Sequence, residues 1–200
     1  MNRILYIPAL PFIWILTCCS PSKKFTQSYY SSNETAIQSI LHQYKKIYDG
    51  RPFSLEFKNQ AQTRISIEIH TDSIKYIYNF NLDEPFFQDT LRKYDFDNNA
   101  MTQLIRDMQK THCTWINNLD YYEKWQKKDL VFLSVRDKKL DAFLSSEKYF
   151  TLVFFEQKQP SDEKGRLLDN DDRKKMRRIN GEIFRKINDK VFYAVTGHFR

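Results

Sequence analysis

From Phe53 to Phe80 the sequence alternates. Phe53, Leu55 and Phe57 are interleaved with Ser54, Glu56 and Lys58, and Ile65, Ile67 and Ile69 with Ser66, Glu68 and His70. After Thr71-Asp72-Ser73 the apolar positions resume at Ile74, Tyr76, Tyr78 and Phe80. Successive side chains on a strand point to opposite faces, so this period of two predicts three strands with one apolar and one wet face. Consecutive strands of this kind argue an antiparallel meander.

Helices on either side of the meander supply the layer that packs on it. Ser31 and Glu34 have capping-box spacing, and Ile37, Ile40, Leu41, Tyr44, Ile47 and Tyr48 recur on one helical face. Gly50 stops that helix and Pro52 prevents its resumption. Lys45 and Lys46 near its end suit the helix dipole. Beyond the meander, Asp83 caps a helix with Pro85 in its first turn and Phe86, Phe87 and Leu91 on its buried side. Asp97 caps another, striped by Met101, Leu104, Ile105, Met108 and His112.

Residues 117–128 are aromatic-rich and carry no readable period. Val131, Leu133 and Val135 then alternate, 137–139 turns, and Leu140 to Leu144 pairs back. The apolar run Tyr149 to Phe155 predicts a central strand covered on both faces. After a loop from Gln157 to Leu168, a last helix is expected from Asn170, striped by Met176, Ile179, Ile183 and Ile187. Asp171 and Asp172 would stand in its first turn and Arg185 and Lys186 near its end. A final strand spans 190–197. The order predicts the α+β class, a mainly antiparallel sheet packed by amphipathic helices. A hydrophobic content of 41% and an aromatic content of 16% belong to a globular chain.

The N-terminus gives an address. Arg3 precedes an apolar run from Ile4 to Leu16, too short to span a bilayer and broken by Pro8 and Pro11. Leu16-Thr17-Cys18-Cys19 follows. This stretch resembles the lipobox of bacterial lipoprotein precursors, with Cys19 as the modified residue and Cys18 as the alternative register. The resemblance implies cleavage before Cys19, acyl chains on that residue and attachment to a membrane; two or three chains hold where one is marginal. Ser20 follows the cysteine where an Asp would retain such a protein in the inner membrane, so the resemblance implies the outer membrane and its periplasmic face. The chain accordingly divides into a signal peptide (1–18), a flexible polar tether (19–33) and one domain (34–200).

Local motifs for chemistry are scarce. With 4 Gly in the chain, no G-x-G-x-x-G or G-x-x-x-x-G-K occurs. His42, His70, His112 and His198 lack zinc-site spacing. Asp169-Asn170-Asp171-Asp172 lacks the alternating ligands of a calcium loop and reads as a helix cap. His112-Cys113 reads as a polar helix end beside a buried thiol, because a helix C-terminus raises a thiol pKa where a nucleophile needs it lowered. No catalytic residue, metal or cofactor is therefore assigned. Two surfaces stand out. Arg173, Lys174, Lys175, Arg177 and Arg178 form a basic block suited to anionic lipid or an acidic partner, weighed against a simple solvated face. Tyr121, Tyr122 and Trp125 form an aromatic group suited to binding, weighed against packing under a loop.

The net charge of +7 raises the question of nucleic acid, which an exported protein seldom meets; anionic head groups explain it more simply. The expectation is a membrane-anchored, non-catalytic domain that binds an envelope protein or component. The alternatives are a tethered hydrolase-like enzyme drawing on His112, His198 or distant carboxylates, and a carrier of a small ligand or lipid. Oligomeric state is left open.

Overall fold

The structure, a computed structural model, describes residues 21–123, 126–136, 149–169 and 174–196. The class is α+β as the periodicities predict: three helices pack on a large antiparallel sheet. Helix α1 (Pro21–Gly50) leads into strands β1 (Phe53–Phe57), β2 (Arg64–His70) and β3 (Lys75–Asn81). Helices α2 (Pro85–Lys93) and α3 (Asn98–Lys110) follow, then β4 (Cys113–Glu123), β5 (Gln126–Arg136) and β6 (Tyr149–Phe155). Short strands β7 (Arg178–Ile179), β8 (Glu182–Ile183) and β9 (Arg185–Lys186) precede β10 (Val191–Thr196). Eight strands form one sheet in the order β3-β2-β1-β4-β5-β6-β10-β9, while β7 and β8 pair apart from it.

The two faces of the sheet carry separate cores. On one face, Phe53, Leu55, Ile65, Ile67, Leu133, Leu152 and Tyr193 meet Ile37, Ile40 and Tyr44 of α1 and Leu91, Met101 and Leu104 of α2 and α3. On the other, Trp115, Tyr121, Phe132, Val153 and Phe192 meet Leu167 and Phe184 from the loop region before β10. The period of two in β5, β6 and β10 therefore serves two cores, which is why Tyr149–Phe155 reads as an unbroken apolar run. The far face of β1 and β2 is polar instead. Ser54, Glu56 and Ser66 are nonetheless buried there, and Glu56 accepts a hydrogen bond from Lys58 at 2.7 Å.

Asp97 caps α3 as expected, its carboxylate accepting from the backbone N–H groups of Asn99 (2.8 Å) and Ala100 (3.1 Å). Three sequence readings are corrected. First, α1 is already helix at Pro21, well before Ser31, so the expected tether is largely helix. Phe25 packs at a tilt against Phe150 with ring centres 4.6 Å apart, Thr26 and Tyr30 are buried, and the Tyr29 hydroxyl donates to the Thr111 carbonyl at 2.6 Å. Glu34 does not close a capping box; its carboxylate accepts from the Tyr30 hydroxyl one turn earlier. Second, α2 is entered through Glu84, not Asp83, and Asn81 donates to the Glu84 carboxylate.

Third, the expected last helix is absent over Lys174–Ile187, where short strands stand instead. The helical spacing of Met176, Ile179 and Ile183 is overridden by Asn180-Gly181. Both residues have positive φ, 51° and 82°, the conformation of a two-residue hairpin turn between β7 and β8. Of the unplaced stretch, 117–123 and 126–128 belong to the long paired strands β4 and β5, with Tyr122 paired to Lys127, and 124–125 lie outside the described residues. The expected strand Leu140 to Leu144, the caps Asp171 and Asp172 and the cysteines of the lipobox lie outside the described residues.

Candidate functional site: a cleft between the first helix and the sheet

Helix α1 runs along the sheet. Its first turns lie over the end marked by Cys113 and Phe150, and its last turns over the end marked by Phe53, Asn118 and Phe154. At the second end helix and strands part, leaving a half-open cleft of about 270 Å³. Leu41, Tyr44, Val131, Phe154 and Val191 make its apolar floor. Lys45, Asp49, Asp129, Glu156 and Lys190 stand around it, and the buried Asn118 amide reaches Asp129 at 3.4 Å.

The charges of the cleft are joined across the chain. The Lys45 ammonium donates to Glu156 at 2.6 Å. That bond raises the Lys45 pKa above its ordinary value against the effect of burial, with help from the negative fields of Glu156, Asp129 and Asp49. Lys45 stays protonated across the physiological range and cannot serve as a base there. The lining holds no Ser, Thr, Cys or His among the described residues. A floor of aliphatic and aromatic groups under a two-signed rim suits recognition of a small amphiphilic molecule, or of one protruding side chain from a partner.

The sequence-predicted residues fall elsewhere. Tyr121 is only 6% exposed and packs edge-on against Phe155 at 5.5 Å, so it is core. Tyr122, 69% exposed, faces solvent near the hairpin tip, and Trp125 lies outside the described residues. Arg177 lies with its guanidinium 4.9 Å from the Tyr121 ring centre and 5.9 Å from that of Phe155. The aromatic group and the basic block thus meet, but as packing. Lys174, Lys175 and Arg178 are exposed around this contact, and Arg173 is outside the described residues. Among the described residues no three His, Cys, Asp or Glu are gathered to hold a metal ion.

His112 and Cys113 diverge for a backbone reason. α3 ends at Lys110, Thr111 is its C-cap, and His112 turns the chain at a φ of 56°, leaving His112 exposed and Cys113 buried at the start of β4. Burial pushes the Cys113 thiol up to about 11, against hydrogen bonds with Thr111 (3.0 Å) and Tyr29 (3.7 Å). Cys113 is therefore expected to resist a thiol reagent at neutral pH in the native protein and to react promptly in denaturant. Prompt native labelling at that position would refute the burial argument.

Carboxylates outside the cleft set the acid response. Glu68 is held below its ordinary range by Lys75 and His70, although burial opposes this. Asp107 is likewise lowered, burial again opposing, by hydrogen bonds from Gln103, Gln43 and Lys110. The Arg166 backbone N–H lowers Asp162, and Lys186 with Lys158 lowers Asp189. Each depressed carboxylate contributes stability above its unfolded pKa, and that contribution disappears as the pH falls through its folded pKa. The urea midpoint is expected to be flat from neutrality to about pH 5 and to fall progressively below about pH 4. A midpoint unchanged down to about pH 2 would contradict this.

No family model matches the chain, and the searches of curated proteins and of solved structures return no match. No described helix is long and apolar enough to cross a membrane.

Proposed function

We propose that this chain is a lipid-anchored protein of the cell envelope whose domain is a binding module without chemistry of its own, held on the periplasmic face of the outer membrane. The carrying observation is the continuity of α1. The chain is already helical at Pro21, two positions after Cys19, and is packed from Phe25 onward, so a lipid on Cys19 would fix the Cys113 end of the sheet close to the bilayer. The cleft opens at the other end. Phe150 and Phe155 mark the two ends of β6, five residues or about 17 Å apart. Arg177 packs at Phe155 and Tyr121, so the basic block belongs to the outward end and is better placed for an acidic envelope partner than for head groups beneath the domain.

The test is native mass spectrometry of the full chain extracted from membranes in mild detergent. The expected mass lacks residues 1–18 and carries two or three acyl chains, and Cys19→Ala moves the protein wholly to the soluble fraction. An unmodified mass, or membrane retention of a cleaved chain in which both Cys18 and Cys19 are replaced by Ala, would sink the anchored reading. A bound component that leaves on Leu41→Trp, which fills the cleft, supports the binding role. A component retained by that variant would place recognition elsewhere.

A further inference from the structure

We infer that two copies of this protein pair through the β3 edge, each extending the other's sheet. Among the described residues β3 is an open edge of the eight-stranded sheet, whereas the opposite edge, β9, is two residues long. In an antiparallel ladder bonded and unbonded pairs alternate. Thr71 N–H donates to the Ile74 carbonyl and Leu82 N–H to the Thr63 carbonyl, which marks the bonded pairs flanking the β2–β3 ladder. Counting by twos between them places Tyr76, Tyr78 and Phe80 in bonded positions with β2. The main-chain N–H and C=O groups of Lys75, Ile77 and Asn79 then point away from the sheet, and all three residues are exposed.

Edges of this kind are ordinarily blunted by proline, a bulge or several charges. β3 has no proline, its ladder with β2 runs without a bulge, and it carries one charge, Lys75, which Glu68 holds at 3.1 Å. Instead Ile77 stands 61% exposed at mid-strand, and Ile74, just before the strand and on its other face, is 52% exposed. These are two of the four large apolar side chains exposed among the described residues.

The strand is complementary to itself. With a two-fold axis at Ile77, the outward groups meet as bonded pairs: Ile77 against the second copy's Ile77, and Lys75 against the second copy's Asn79. That gives about six main-chain hydrogen bonds with no like charges opposed. The same register sets Tyr76 opposite the second copy's Tyr78 on the helix-covered face. It also brings Ile74 opposite the second copy's Phe80. One two-fold operation thus covers Ile77 on one face and Ile74 on the other in both copies at once, which a one-sided partner strand, facing a single copy, would not achieve.

The test is the mass of the full chain in mild detergent, followed across concentration by sedimentation. A dimer is expected, and Ile77→Pro is expected to be monomeric with an unchanged circular dichroism spectrum, because the lost N–H faces outward. Should proline unfold the protein, Ile77→Lys opposes two like charges at the axis and carries the same test. Ile77→Cys is expected to oxidise to a covalent dimer and Ser73→Cys is not. A chain monomeric at every concentration, a dimer surviving both substitutions, or a foreign strand on this edge of a monomeric chain would overturn the inference.

Discussion

A chain beginning at Glu34 is expected to lose its cooperative thermal transition or to melt at least about 10 °C lower than the full protein. Were residues 19–33 a tether, their removal would cost nothing. Instead it strips Phe25 from Phe150, Tyr29 from Thr111 and Cys113, and Tyr30 from the core over Phe154. Each aromatic contributes about 1.5–3 kcal/mol through burial, so the three together approach the whole stability of an ordinary domain, about 5–15 kcal/mol. Differential scanning calorimetry of the two chains decides it. Equal melting temperatures would restore the tether and remove the argument for a domain held close to the bilayer.

Phe53→Ala is expected to destabilise the protein by about 3–5 kcal/mol, read from the urea midpoint. Phe53 is fully buried between Tyr44 at 4.9 Å and Phe96 at 5.5 Å, joining α1 to the segment between α2 and α3. Its carbonyl also accepts the Tyr44 hydroxyl at 2.6 Å, a bond that holds the cleft end of α1 to the sheet. The substitution is therefore expected to loosen the cleft as well as the core. A cost below about 1 kcal/mol would mean that neighbouring rings collapse into the space.

The parts legible in the sequence are those where one local signal acts alone. The alternation in β1, β2 and β3, the Asp97 cap and the stop at Gly50 each correspond to a structural element. Competing signals misled. Ser31 and Glu34 have capping spacing, but Tyr30 takes the Glu34 carboxylate, and aromatic packing draws the helix back to Pro21. Met176, Ile179 and Ile183 follow a helical period, yet the Asn180-Gly181 pair between them was the stronger signal and names a hairpin. The cleft was illegible for another reason. Lys45 and Glu156 are 111 residues apart, Asp129 comes from β5 and Lys190 from the bend before β10, so no local spacing reports it. Lys45 has a sufficient local explanation in the helix dipole, which conceals its second role.

The position of α1 at the front of the chain also has a temporal side. β1 to β6 are neighbours in the sheet nearly in the order in which they are made, so most of the sheet can assemble from nearby segments. α1 is completed first, but its resting surface includes Phe150, Phe154 and Val191, which are made last. Its apolar stripe must therefore wait, uncovered, until the chain is almost finished. That interval calls for a holding partner or a fast closing step, and docking of the helix becomes the event that completes the domain.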